Sequence, residues 1–161
     1  MKKLLILPLL FAVFAIGTAT VSAEEPENPM IVELDGFGFK GDLTWRMFEK
    51  GLTQAFEEEG LNYTLEFKKF PVKDYKGKPA LEIRLNRWRT WHSEREINFW
   101  ATYVSADDED TKLDIISHKE VPFDVTRDQL ERNLQGEAKE AGLKLIEKLK
   151  PHLPGTEVAK G

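Results

Sequence analysis

The chain has 161 residues, of which 41% are apolar and 32% charged, with 28 acidic against 23 basic side chains and no cysteine. That is one domain's worth of chain with enough apolar material for its own core, which excludes bulk disorder and a two-domain enzyme. The missing cysteines exclude disulfides, thiolate metal sites and thiol nucleophiles together.

The first 23 residues read as an address. Met1-Lys2-Lys3 is basic, Leu4 to Ile16 is apolar apart from Pro8, and Val21-Ser22-Ala23 supplies small residues at a cleavage site. This is the layout of a secretory signal peptide cleaved after Ala23. The apolar run is short of the roughly 20 residues that span a bilayer, so no stable membrane insertion is expected after cleavage. The absence of a cysteine after the site excludes lipoprotein processing. Cleavage removes two lysines and no acid, taking the net charge from −5 to −7. A chain that acidic lacks the positive surface nucleic acid requires, so no nucleic-acid partner is expected. The expected localisation is periplasmic or secreted.

Residues 24–29 are acidic and proline-containing, a flexible lead. Met30 to Leu34 is a short apolar strand whose place, parallel inside a sheet or at its edge, the sequence leaves open. Asp35 to Gly41 is a loop. Asp42 opens a helix in which Leu43, Met47, Phe48, Leu52, Ala55 and Phe56 recur at three- and four-residue steps, one buried stripe that ends at Gly60. Leu61, Tyr63, Leu65 and Phe67 alternate with polar residues, the period-two pattern of a half-buried strand. A charged loop, Pro71 to Pro79, follows.

Leu81, Ile83 and Leu85 begin a third strand that runs to Trp91. A turn at His92-Ser93-Glu94 leads to a fourth, Ile97 to Ser105, and the acidic turn Asp107 to Asp110 leads to a fifth, Leu113 to Phe123. Short connections predict antiparallel neighbours, so the second to fifth strands are expected as a meander. Thr126 and Gln129 form a capping box for a second helix, with Val125 against Leu130 as a staple. Leu130, Leu134, Ala138, Ala141, Leu145 and Leu149 are its buried stripe, and Pro151 stops it. The predicted architecture is a two-layer α+β sandwich. About five mostly antiparallel strands, in the order β-α-β-β-β-β-α, carry two helices on one face. The single domain spans 30–151, and 152–161 is a loose tail.

Marked chemistry is scarce. Gly36-Phe37-Gly38-Phe39-Lys40-Gly41 spells G-x-G-x-x-G, but the meander around it is no repeated βαβ unit. Asp42 also places negative charge where a pyrophosphate would sit. His92, His118 and His152 lack metal-ligand spacing, and Asp114 and His118, four apart on a strand, stand about 13 Å from each other. The acidic turn fails the calcium-loop pattern, since the sixth residue from Asp108 is Leu113. Ser93, Ser105 and Ser117 lack a nucleophile-elbow setting. No metal, no cofactor and no catalytic residue is expected.

The third and fourth strands carry the candidate surface. If alternation holds, Ile83, Leu85, Phe99, Ala101 and Tyr103 face the helices. Arg84, Asn86, Trp88, Asn98, Trp100 and Thr102 then face away, with Trp88 opposite Trp100. The fifth strand adds Asp114, Ile116 and His118. Tryptophan and arginine beside amide side chains is the composition of binding hot spots. The expected function is a non-enzymatic binding or accessory domain that uses this open face for an envelope protein or component. The alternatives are a small exported hydrolase with an unmarked site and a structural homodimer sealed through the same face. The helix run Gly51-Leu52-Thr53-Gln54-Ala55-Phe56 and the strand Leu81 to Trp88 resemble small exported bacterial envelope proteins that are uncharacterised. More distantly the chain resembles the accessory α+β domains of envelope lipoproteins, without their lipidated cysteine. The resemblance implies compartment and fold, and carries over no functional residue.

Overall fold

The computed structural model describes residues 28–36, 42–72, 74–75, 77–91, 94–107, 110–120 and 126–154; of these, 89–91, 94–95 and 118–120 are described through the backbone alone. The expected signal peptide, most of the glycine loop, the His92-Ser93 turn, the centre of the acidic turn, Val125 of the staple and residues 155–161 lie outside the described residues.

The elements are β1 (Pro29–Asp35), α1 (Asp42–Glu58), β2 (Thr64–Lys69), β3 (Ala80–Trp91), β4 (Glu94–Val104), β5 (Asp110–Glu120) and α2 (Arg127–Leu149). The five strands form one sheet in the order β2-β1-β3-β4-β5. The α+β class and the two layers are as the pattern predicts. Both helices contribute to the same apolar core, which fills the space between them and one face of the sheet.

The strand pairing departs from the expected meander. Only β3, β4 and β5 are antiparallel neighbours; β1 lies between β2 and β3 and runs parallel to both. The physical reason is in β1 itself. Met30 to Leu34 are all buried, and a strand apolar on both faces belongs inside a sheet. With α1 as the crossover, β1-α1-β2 is a parallel unit. The loop after β2 is ten residues long, enough to run back and start β3 on the other side of β1 instead of making a hairpin. It crosses the face remote from the helices. There Val72 N–H donates to Glu33 Oε2 at 3.1 Å, and the Tyr75 hydroxyl lies 3.0 Å from Glu33 Oε2 and 2.5 Å from Glu82 Oε1. Burial and the two carboxylates push the Tyr75 phenol well above its ordinary range, so it remains a neutral donor. Tyr75 also covers a small apolar cluster of Ile31, Ala80 and Val104 on that face.

The helices meet at unusually short range. A Cβ on Gly51 would stand 2.6 Å from the Ala138 Cβ and 2.6 Å from the Gln135 carbonyl oxygen, so glycine is what allows α1 to lie against the α2 backbone. Gly60, with φ of +65°, ends the first helix as predicted. At the other end of the chain the fold continues past Leu149. Lys150–His152 form a 3-10 turn and Leu153 is buried in the core, so the chain is held where a loose tail was expected to begin.

The capping box is formed as the sequence predicts. Thr126 Oγ1 accepts from Gln129 N–H at 3.2 Å, and Gln129 Oε1 accepts from Thr126 N–H at 3.0 Å. Thr126→Ala is expected to lower stability by about 1 kcal/mol, because the hydroxyl satisfies an amide that the first helical turn leaves without an acceptor. Chemical denaturation should show a lower midpoint at unchanged slope.

Candidate functional site

The face remote from the helices is built in rows by strand register. Asp35, Arg84, Trp100 and Asp114 stand side by side across β1, β3, β4 and β5. In the next row stand Glu33, Glu82, Thr102 and Lys112. On the other side of Trp100, Arg87, Asn98 and Ile116 form a third. Alternation explains the set: Leu81, Ile83 and Leu85 on β3 and Phe99 and Ala101 on β4 are buried in the core, which turns their even-numbered neighbours outward.

Arg84 donates from Nε to Asp35 Oδ2 at 3.2 Å, an exposed pair that fixes the guanidinium beside the Trp100 ring position more than it stabilises the fold. Trp100 is 49% exposed, and the other exposed large apolar side chains among the described residues are Phe70 (53%) and Ile116 (63%). Trp100 and Ile116 are on this face, and Phe70 closes its far side from the end of β2. The first two rows and Phe70 bound a cleft of about 500 Å³, lined by Glu33, Asp35, Glu82, Arg84, Lys112 and Asp114 together with Phe70 and Trp100. Four carboxylates and two cations make the lining net acidic. Tyr75 engages Glu33 and Glu82, while Asp35 is paired with Arg84. The arrangement offers an aromatic platform with charged hydrogen-bonding groups on either side. Its carboxylates are arranged to hold the loop and Arg84 in place. No group of three or more metal-ligating side chains occurs among the described residues.

Of the residues expected on this face, Arg84 and Trp100 are exposed on it, Asn98 and Thr102 are half-buried on it, and Asn86 is exposed. His118 pairs by backbone register with Glu96, and its side chain is outside the description. Trp88 is a correction. It is buried at 7% exposure on the opposite face, paired with Ile97, and Trp100 is opposite Arg84 instead. The hairpin register also differs, with Trp91 opposite Glu94. The cause is a bulge between Leu85 and Arg87. One extra residue, Asn86, shifts the alternation by one and turns Trp88 into the core. There its ring stands edge-on to Phe48 with centroids 6.1 Å apart, and Nε1–H donates to Glu137 Oε2 on α2 at 2.9 Å. The sequence does contain the signal. Two consecutive polar residues, Asn86 and Arg87, separate the apolar positions 85 and 88, where strict alternation would allow one. Phe70 and the carboxylates Glu33, Asp35 and Glu82 were not expected at the site. Their arrival depends on β1 lying beside β3, a long-range pairing that no local pattern encodes.

The mixed five-stranded sheet with two helices on one face defines an α+β domain, and it is at this level that known proteins compare. No family model matches the chain, and no curated protein matches it. Solved structures do. An uncharacterized protein aligns at a TM-score of 0.55 with 7% identity, over 76% of this chain and 92% of that one. A PelC variant dodecamer from Paraburkholderia phytofirmans gives 0.49 with 9% identity, over 74% and 88%. A minor lipoprotein from Acinetobacter baumannii gives 0.42 with 12% identity, over 78% and 94%. The likeness is one of fold, at the level of the uncharacterized protein, and no described helix is long and apolar enough to cross a membrane.

Proposed function

We propose that this chain is a non-enzymatic binding domain of the bacterial envelope, exported by its first 23 residues and engaging a protein partner through the outer sheet face around Trp100. One observation carries the reading. All three exposed large apolar side chains among the described residues, Phe70, Trp100 and Ile116, gather on or beside one sheet face. Apolar surface concentrated at one place is characteristic of interaction sites. Arg84 and Asp114, the immediate cross-strand neighbours of Trp100, supply the charged groups that give such a contact its orientation.

The experiment is site-specific photocrosslinking in cells that export the chain. A photoreactive side chain at position 100 should give a discrete adduct of defined mass, and one at Gly136 on α2 should give none. Ile116→Asp should suppress the adduct at position 100 while the chain remains folded. Equal labelling from both positions, or an adduct indifferent to Ile116→Asp, would overturn the assignment of this face.

A further inference from the structure

Glu33 and Glu82 stand side by side on β1 and β3, and one phenol lies between them. The Tyr75 hydroxyl has a single hydrogen, so it donates to only one carboxylate at a time. Val72 N–H, bonded to Glu33 Oε2, is the other donor. Glu33 Oε1 and Glu82 Oε2 accept no bond from any described residue. Glu33 is only 3% exposed, yet its Oε1 is not sealed from solvent, so it opens into the cleft that the residue lines. Buried carboxylates are ordinarily paired with a cation, and among the described residues none pairs with either of these two.

The cations that line the cleft are placed elsewhere. Arg84 is paired with Asp35, and Lys112 stands on β5, two strands from Glu82, with Asp114 beside it on the same face. Each of those pairs cancels, which leaves the net negative charge of the lining on Glu33 and Glu82. Aromatic rings flank the two carboxylates. Phe70 N–H donates to the Leu34 carbonyl at 3.2 Å, which fixes Phe70 beside β1. Trp100 is the diagonal neighbour of Glu82 across β3 and β4, about 7–8 Å away and within reach of long side chains. Both rings are about half exposed.

We infer that this cleft receives a cationic side chain, lysine or arginine, from a basic segment of the protein partner. Its charged head lies between Glu33 and Glu82, and its apolar stem runs between Phe70 and Trp100. The inference rests on the partner reading of the Trp100 face and deepens it. A cation against an indole face is attracted by the ring's quadrupole, and one entering here gains charge-assisted hydrogen bonds to the open carboxylate oxygens as well. The chain already makes a contact of the first kind, with Lys69 Nζ 5.5 Å from the centroid of the Trp45 ring. A metal ion suits the cleft less well, because no three ligating side chains gather among the described residues. An acidic segment would meet the net charge of the lining.

Heteronuclear NMR on the exported chain tests this with three blocked tripeptides: Gly-Lys-Gly, its Nε-acetyl-lysine counterpart and Gly-Glu-Gly. The lysine peptide should shift the Trp100 indole N–H saturably, and the other two should not. Glu33→Gln and Glu82→Gln keep the side-chain shape and an acceptor for Tyr75, and each should weaken the binding about tenfold. Lys112→Gln should not weaken it. A dispersed spectrum shows that each variant is folded. In cells, the photoreactive side chain at position 100 should lose most of its adduct when Glu33→Gln and Glu82→Gln are combined. Equal shifts from the lysine and acetyl-lysine peptides, or no saturable shift, would overturn the cation. So would an adduct retained in full by the double variant, with the partner reading left standing. No adduct from the otherwise unsubstituted chain would overturn the partner reading itself, and this inference with it.

Discussion

Trp88→Ala is expected to lower the unfolding free energy by about 3–5 kcal/mol, and Trp100→Ala by less than about 1 kcal/mol. Both residues lie in the same β3–β4 hairpin, yet one fills the core and the other covers a cleft. Truncating Trp88 removes the edge-on contact with Phe48 and opens a cavity where α2 meets the sheet. It also takes the indole donor from Glu137, a carboxylate only 4% exposed. A buried acceptor that loses a partner costs about 1–3 kcal/mol, and this is contained within the larger loss. Trp88→Phe separates the two parts, because it keeps most of the packing and removes the N–H. It should fall between the other variants. Chemical denaturation with a common slope gives all three values. Equal losses for the two alanine variants would mean that β3 continues without its bulge.

Gly51 and Gly136 should respond to the same substitution with opposite signs. Both are helical, so alanine gains about 1 kcal/mol of helix propensity at either position. At Gly136 a Cβ meets nothing within 4 Å, and Gly136→Ala should show that gain undiminished. At Gly51 the Cβ would lie 2.6 Å from the Gln135 carbonyl oxygen and 2.7 Å from the Lys139 nitrogen. These are backbone atoms of α2, which cannot swing aside as a side chain can. Separating the helices would strain the whole interface, and overpacking of this kind costs about 1–3 kcal/mol. Gly51→Ala should therefore be a net loss, and Gly51→Val, with two further methyl groups, should lose about 3 kcal/mol. Thermal or denaturant midpoints of the three variants decide it. A stabilised Gly51→Ala would show that the helices pack further apart than the structure places them.

Local pattern determined much of this protein. The apolar stripes of Met47, Phe48, Leu52, Ala55 and Phe56, and of Leu134, Ala138, Ala141, Leu145 and Leu149, recur at helical spacing, so both helices and their buried sides were legible. The capping box was legible because its two partners are three residues apart and require nothing else. Alternation alone turned Arg84, Asn98, Trp100 and Thr102 away from the core. Tertiary structure decided the rest. Whether β2 pairs with β3 or with β1 depends on where a ten-residue loop returns, and either outcome satisfies the same half-buried pattern in β2. That choice brings Glu33 and Asp35 beside β3 and draws Phe70 and Tyr75 over the outer face. The bulge at Asn86 was decided in the same way. A polar pair in a strand can be read as outward-facing residues in sequence or as an inserted residue. The selection was made by the core space beside Phe48 and the carboxylate of Glu137, both more than 35 residues away in the chain from Trp88. Period and capping are set by neighbours along the chain, whereas strand order and the side on which a tryptophan lies are set by which distant surfaces remove the most apolar area from water.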